Sequence, residues 1–459
     1  MSTDTHHTEV SAVPPSSTES LSPVSRREAF LFWLKLGFIS FGGPAGQISI
    51  LHQELVERRR WISETRFLHA LNYCMVLPGP EAMQLATYMG WLMHRSWGGI
   101  VAGTLFFLPS LLILILLAWI YMAYGYLPAV AGVLYGVKPA VTAIVGFAAY
   151  RIGSRALNNG AMWLLAAASF TAIFFFHLPF PMIVLMAGLV GAVLGRWAPR
   201  WVMGSEAQTP DHSLESSSAI IHQTTPVPEH ATYRGSRIFW KIMIGLLLWA
   251  GMLGALWVQW GWSGLLTQMG WFFTKAALLT FGGAYAVLPY VYQAAVEHFH
   301  WLTPAQMIDG LALGETTPGP LIMVVVFVGF VAGWTGQVLG PDHLFLSGAV
   351  AAAVVTFFTF LPSFLFILVG GPLIESTHGN LKFTAPLKAV TAAVVGVILN
   401  LAVFFGFHTL WPAGVESRLD AVALTLMGAA TLALFRYKVG VIYVIGMSGL
   451  IGVLGRLLA

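Results

Sequence analysis

The sequence predicts an all-α polytopic integral membrane protein with two homologous halves in inverted topology and with broken or re-entrant helices. Apolar residue types make up 57% of the 459 residues and charged types only 9%, against about 25% charged in soluble domains. Apolar runs of about 17–25 residues, the length that crosses a bilayer as a helix, recur along the chain. The helix-breaking motifs Phe-Gly-Gly and Pro-Gly-Pro each occur twice, in the same order. The runs predict the membrane and the repeated motifs predict the duplication.

Composition also excludes several classes of protein. The net charge of +4 is too small to indicate nucleic-acid binding. A single cysteine, Cys74, excludes an intramolecular disulfide and a cysteine metal cage. The sequence has no HExxH, Walker A, GxSxG or CxxC motif. We therefore expect no enzyme, no ATP-driven pump, no catalytic residue, no metal and no cofactor.

The order of the segments predicts five regions. Residues 1–25 are rich in Ser, Thr and Pro and read as a disordered tail, and residues 26–202 form a first membrane repeat. A polar, solvent-exposed cytoplasmic linker at 203–237 precedes an extra transmembrane helix at 238–260. Residues 261–459 form the second repeat. About 9 to 13 membrane crossings fit this division, depending on which segments are re-entrant.

The two halves align at a constant offset of 240 residues. Four blocks match: Lys35 with Lys275, Phe41-Gly42-Gly43 with Phe281-Gly282-Gly283, Trp61 with Trp301, and Pro78-Gly79-Pro80 with Pro318-Gly319-Pro320. Farther on, Leu108-Pro109-Ser110 matches Leu361-Pro362-Ser363 at a drifted offset. The shared order indicates an internal duplication. The segments 51–72 and 291–312 mix charged residues with Trp, which predicts interfacial helices anchored by Trp61 and Trp301.

The extra segment 238–260 would invert the second half, and the loop charges support this. The first loop after Phe-Gly-Gly carries Arg58, Arg59, Arg60 and Arg66, whereas its counterpart at 291–313 carries Glu297 and Asp309 and no Lys or Arg. Cytoplasmic loops collect Lys and Arg, so the two loops are expected on opposite sides. Because arginines flank segment 28–50 at both ends, we favour a re-entrant hairpin there over a plain kinked span.

The paired breaks predict the functional site. Gly and Pro interrupt helices, and in lipid a broken backbone survives only inside protein or beside a wet cavity. A helix that begins after a break offers free N–H groups and a positive dipole end to an anion. The alternative is that the breaks are only bends needed for packing.

Side chains near the breaks complete the predicted substrate site. Lys35 and Lys275 could attract a divalent oxyanion, or they could snorkel to the headgroups. Glu81 and Glu315 could carry a proton, with helix N-terminal placement as the structural alternative for Glu81. The predicted substrate-binding residues are Lys35, Gly42, Gly43, Gln47, Pro78, Gly79, Pro80, Glu81, Gln84, Lys275, Gly282, Gly283, Glu315, Thr316, Thr317, Pro318, Gly319 and Pro320.

Four stretches carry a resemblance to a known family. FGGPAGQI at 41–48 and PGPEAMQLATYMG at 78–90 resemble the chromate ion transporter (CHR) family. FGGAYAVLP at 281–289 and ETTPGPL at 315–321 fit its long, two-domain form, as do the paired Leu-Pro-Ser motifs. The resemblance spans about 28–456 and implies a plasma-membrane exporter of chromate with sulfate as a competitor. Ala284-Tyr285 stands where the first half has Pro44-Ala45, so the anion is expected to contact the halves unequally.

The combined prediction is a secondary transporter that exports chromate across the bacterial inner membrane and confers chromate resistance. The membrane potential or a proton gradient would drive it. A transporter or passive channel for sulfate or another anion is the alternative, and a non-transporting scaffold is disfavoured by the duplicated breaks. The predicted partners are chromate, sulfate as competitor and membrane lipid, with no nucleic acid. A homodimer stays open.

Overall fold

The computed structural model describes residues 24–197, 234–281, 283–376, 384–412, 414 and 418–458. Most of the predicted tail 1–25 and linker 203–237 lies outside the described residues, as does Gly282. Every regular element in the described ranges is a helix, which confirms the predicted all-α class.

The described residues of the first half form seven α-helices. They are α1 Arg26–Ile39, α2 Gly43–His52, α3 Glu64–Cys74, α4 Glu81–Tyr124, α5 Pro128–Ala156, α6 Gly160–Phe176 and α7 Phe180–Trp197. A π-helical turn at Gln53–Arg58 continues α2. The gaps after α1 and α3 contain the Phe-Gly-Gly and Pro-Gly-Pro motifs, where glycine and proline end the preceding helix.

The second half repeats this order after one added helix. That helix, α8 Gly235–Trp260, covers the predicted extra segment. It is followed by α9 Leu265–Leu278, α10 Ala284–Tyr292, α11 Pro304–Thr316, α12 Val324–Thr335, α13 Leu344–Ser376, α14 Thr384–Leu410, α15 Ala421–Phe435 and α16 Val441–Leu458. A π-helical turn at Gln293–His298 continues α10, and a 3-10 turn at Leu321–Met323 precedes α12.

Six helices in the described residues are long and apolar enough to cross a membrane. They are α4, α5, α7, α8, the stretch Pro341–Pro372 that contains most of α13, and Ala385–Leu410 within α14. Four shorter apolar helices lie at Gly160–Phe176, Leu321–Thr335, Ala421–Phe435 and Val441–Leu457. This composition supports a multi-pass membrane protein.

Helix α4 is a hairpin of two arms, 81–93 and 96–124. His94 and Arg95 have non-helical backbone angles, and Arg95 has a φ of 59°. The arms pack tightly, because a Cβ on Gly90 would collide with the Gly98 carbonyl. The chain therefore reverses its direction at His94-Arg95.

Both hairpins of the first half open at one face of the molecule. Arg59, at the end of the α2 segment, pairs with Glu28 near the start of α1 at 3.2 Å. His94 Nε2 lies 2.9 Å from the carbonyl oxygen of Val24, which joins the α4 turn to the same place. The chain thus enters and leaves on one face around each break.

The second half reproduces these local features at the offset of 240. The two π-helical turns correspond, and Arg60 and His300 both have a φ of 53°. Trp61 packs on Phe32 with ring centroids 4.9 Å apart, and Trp301 packs on Phe272 at 5.9 Å. Both tryptophans are buried, so the prediction of interfacial anchors was wrong. Aromatic neighbours on α1 and α9 enclose them instead.

The two pairs of hairpins open at opposite ends of the second arm of α4. That arm runs antiparallel to α13: Gly99 lies beside Leu368, Phe107 stacks on Phe360 at 4.3 Å, and Trp119 meets Phe345 at 6.0 Å. The start of the arm adjoins the first half's open ends, whereas Phe345 packs on α12 of the second half. These contacts support inverted topology, and the sidedness of the halves in the membrane stays a prediction.

Candidate functional site

Two crossed hydrogen bonds join the halves at the breaks. The Gly79 N–H donates to the Thr280 carbonyl at 2.7 Å, and the Gly319 N–H donates to the Ser40 carbonyl at 2.7 Å. Each Pro-Gly-Pro therefore pairs with the residue before the other half's Phe-Gly-Gly. This exchange joins the two Pro-Gly-Pro motifs and the residues before the two Phe-Gly-Gly motifs at one crossing between the halves.

Glycine is required at the centre of each Pro-Gly-Pro. Gly79 has a φ of 129° and Gly319 a φ of 102°, backbone angles that other residues adopt only with strain. Space is also short. A Cβ on Gly79 would collide with Ser363 Oγ and Gln84, whereas one on Gly319 would lie 3.0 Å from the Ser110 Cβ.

The serines of the two Leu-Pro-Ser motifs complete the crossing. Ser363 contacts the first Pro-Gly-Pro and Ser110 the second, so each serine serves the opposite half. Ser110 Oγ lies 3.4 Å from Thr317 Oγ1. Neither serine was among the predicted site residues, although the repetition of their motif was the signal that could have identified them.

Two glutamines from the first half brace the breaks. Gln84 Nε2 donates to the Pro78 carbonyl at 2.7 Å, and Gln47 Nε2 donates to the Gly319 carbonyl of the other half. Gln84 Oε1 and Ser363 Oγ are buried without a hydrogen-bond partner in the described structure. Because buried polar atoms are normally satisfied, these two atoms mark the place beside Gly79 as a candidate ligand site.

Four helices begin at the breaks with no side-chain cap among the described residues. They are α2, α4, α10 and the 3-10 turn before α12. Gly42 and Gly283, which precede two of them, have φ values of 91° and 92°. By contrast Ser25 and Thr303 cap α1 and α11. The uncapped ends at the breaks leave N–H groups and positive dipole ends close to the crossing.

The predicted acidic residues have unequal surroundings. Glu315 accepts a hydrogen bond from the Tyr285 hydroxyl, and Arg151 of α5 acts electrostatically on both groups. Glu81 is the first residue of α4 and has no ion-pair partner in the described ranges. Tyr285 and Arg151 were not predicted, because their contacts join segments far apart in sequence.

Thr316 and Thr317 do not offer free hydroxyl protons. Thr316 Oγ1 donates to the Leu313 carbonyl at 2.7 Å, and Thr317 Oγ1 donates to the Gly314 carbonyl at 2.9 Å. Both hydroxyls bond to carbonyls in the last turn of their own helix, α11. Only the oxygen lone pairs remain available on the site's side.

The structure does not bring Lys35 and Lys275 to the breaks. Both side chains are exposed, while the opposite faces of α1 and α9 are buried. Lys275 Nζ lies 5.8 Å from the Trp271 ring centre. These positions fit the snorkelling alternative.

Comparison with known proteins identifies the family. The chain matches the family model described as chromate transporter over residues 27–192 and 267–453. It is 32% identical over 449 residues to the chromate transport protein of Pseudomonas aeruginosa, across 96% of this chain and 93% of that one. It is 29% identical over 398 residues to the chromate transport protein of Cupriavidus metallidurans, across 85% and 86%. No solved structure matches the chain.

These matches cover both halves and all four breaks. The family consists of transport proteins and not enzymes, as the sequence predicted. The six long apolar helices agree with that assignment. The chain therefore belongs to the chromate transporter family and is a multi-pass protein of the bacterial plasma membrane.

Proposed function

We propose that this protein is a secondary transporter that exports chromate and binds the dianion where the two Pro-Gly-Pro breaks cross. The observation that carries the proposal is the convergence there of uncapped helix ends with the unpartnered hydroxyl of Ser363. Helix N-termini stabilise anions, and the serine hydroxyl can donate to an oxyanion. Relatives named chromate transport proteins support chromate as the anion.

Transport at this site requires alternating access. Gly79 and Gly319 are buried, so an anion reaches them only when one repeat moves against the other. The crossed hydrogen bonds are the contacts that such a movement would strain first. The hairpins of the first half open at one end of the molecule and those of the second half at the other. Movement of one repeat against the other in one direction would therefore open the site toward one side of the membrane, and movement in the reverse direction toward the other side.

The membrane potential supplies a driving force for export. A negative interior expels a dianion with about 4.6 kcal/mol per 100 mV, since each charge contributes about 2.3 kcal/mol. Proton coupling through Glu315 or Glu81 would add to this. The bond between Glu315 and Tyr285 favours Glu315 as the coupling residue.

Uptake into everted vesicles tests the proposal. Vesicles with the protein should accumulate labelled chromate when energised, saturate, and show counterflow. Excess sulfate should compete, and expression in a sensitive host should raise its chromate tolerance. Vesicles that fail to accumulate chromate beyond the protein-free control would refute export. Flux without saturation or counterflow would indicate the alternative of an anion channel.

A further inference from the structure

A cavity of about 310 Å³ lies between the halves, separate from the crossed breaks. Its polar lining consists of Tyr135, Lys138, Thr303, His408, Thr409 and Asp420. Thr303 and Ala305 at its rim are exposed, so the cavity opens to the surface. It has room for several waters at roughly 30 Å³ each, and hence for a small hydrated anion.

An ion pair closes the inner end of this cavity. Lys138 Nζ of α5 lies 3.3 Å from Asp309 Oδ2 of α11. The Tyr121 hydroxyl donates to the same oxygen at 3.1 Å. The aspartate is buried, and the lysine, which lines the cavity, is partly exposed. The lysine therefore has one side toward Asp309 and another toward the cavity.

The aspartate in this pair is incompletely satisfied. Its second oxygen, Oδ1, is buried without a hydrogen-bond partner among the described residues. A buried charge is costly unless all its lone pairs find donors. Asp309 therefore holds Lys138 strongly, and an anion that reaches the lysine from the cavity must compete with this carboxylate.

The other charged group in the cavity is already engaged. The Tyr135 hydroxyl lies 2.8 Å from both oxygens of Asp420, and the Ala423 N–H donates to Oδ1 at 2.9 Å. Asp420 thereby caps α15. Among the described lining residues, Lys138 is the only Lys or Arg.

We propose that this cavity is a second binding site for a tetrahedral oxyanion dianion, in which Lys138 exchanges its bond with Asp309 for one with the anion. The proposal rests on the proposed function, since it gives the transported anion a transient binding site between the surface and the breaks. Lys138 is then the anion's ligand and Asp309 its internal competitor. The two residues should have opposite effects on anion affinity.

Site-specific protection tests this proposal without relying on transport. The chain has one cysteine, Cys74, which is buried and serves as an unreactive background. An Ala305→Cys variant places a thiol on the cavity rim for modification by N-ethylmaleimide, a neutral reagent. Sulfate is the probe because chromate oxidises thiols. We expect sulfate to slow the modification of Ala305→Cys several-fold. In the control variant Asp342→Cys, whose residue is exposed outside the cavity, sulfate should leave the modification rate unchanged.

The sulfate concentration for half-protection separates an anion site from a structural ion pair. In Ala305→Cys, adding Lys138→Gln should raise it by at least about tenfold, the loss expected for a charge-assisted hydrogen bond. Lys138→Arg should largely preserve protection. Asp309→Asn should lower the half-protection concentration, and the double variant should behave like Lys138→Gln because Asp309 acts only through the lysine.

Two outcomes would overturn the cavity site. One is equal modification of Ala305→Cys with and without sulfate. The other is weaker protection in Asp309→Asn, in protein whose size-exclusion profile matches the parent. Both are distinct from failure of the proposed function, which would appear as absent chromate uptake by the unmodified protein.

Discussion

The two halves share one backbone and differ in the side chains at its breaks. Their π-helical turns, positive-φ residues and crossed hydrogen bonds correspond at an offset of 240. Corresponding positions at the breaks nevertheless differ, among them Ala45 and Tyr285, Gln47 and Val287, Met75 and Glu315, Glu81 and Leu321, and Gln84 and Val324. The first half contributes two amides and the carboxyl group of Glu81, and the second contributes a tyrosine and the carboxyl group of Glu315.

The duplication thus provides the repeated backbone of the site, whereas the side chains that would take part in transport differ between the halves. Repeated Gly and Pro residues build a symmetric frame in which each half completes the other. The two amides stabilise this backbone, since Gln47 and Gln84 donate hydrogen bonds to the Gly319 and Pro78 carbonyls of the Pro-Gly-Pro motifs. Among the described residues only the acid of the second half is paired with a tyrosine, so a proton step through Glu315 and Tyr285 would run through one half.

Alanine at Gly79 should have the largest effect. The backbone strain of about 1–3 kcal/mol adds to the collision with Ser363 and Gln84, so we expect loss of most chromate uptake and a lower unfolding temperature. Gly319→Ala should be milder, because its Cβ lies 3.0 Å from its nearest neighbour. Both are measured by vesicle uptake and thermal unfolding.

Gly251→Ala is the matched control, since nothing lies within 4 Å of a Cβ there in α8. It should retain uptake and stability. If Gly319→Ala proves as damaging as Gly79→Ala, strain alone decides the effect, and the tighter packing at the first Pro-Gly-Pro has no consequence.

Removing the Gln84 amide should have the next largest effect. Gln84→Met keeps the volume but leaves the partly buried Pro78 carbonyl without its donor, at a cost of about 1–3 kcal/mol. Uptake should fall by about tenfold, the change that 1.4 kcal/mol produces. Gln268→Met in α9 is the control, since the side chain of that half-buried glutamine makes no hydrogen bond in the described structure. Equal uptake by both variants would contradict the bracing role.

The sequence predicted the frame better than the contacts. Helix breakers, apolar runs and the fixed offset are local signals, so the breaks and the duplication could be found without a structure. The crossing could not, because Gly79 and Thr280 are about 200 residues apart and nothing local pairs them. The face on which Lys35 lies was equally hidden. In a membrane helix the lipid-facing and core-facing sides are both apolar, so periodicity does not mark the buried side.

The Tyr285–Glu315 pair tests the asymmetry directly. Glu315→Gln should remove the stimulation of uptake by a proton gradient while leaving uptake driven by the potential, because glutamine cannot carry a proton. Tyr285→Phe removes the hydroxyl donor and should reduce uptake by about three- to tenfold, as for one hydrogen bond to a charged group. Tyr290→Phe, on the same helix, is the control. Gradient-stimulated uptake that survives in Glu315→Gln would assign the proton step elsewhere, with Glu81 as the next candidate.

The lysines should give the smallest effect. Lys35 and Lys275 occupy corresponding positions and are both exposed, so Lys35→Ala and Lys275→Ala should each change uptake by less than about twofold. The contact of Lys275 with Trp271 adds little, since cation–π pairs at exposed sites contribute about 0.5–1 kcal/mol. Uptake is compared at equal amounts of protein in the membrane. A large loss in both variants would mean that the lysines meet the anion in another conformation, and that positive side chains join the helix ends in attracting it. A loss in only one would extend the inequality of the halves from the breaks to the helices that lead into them.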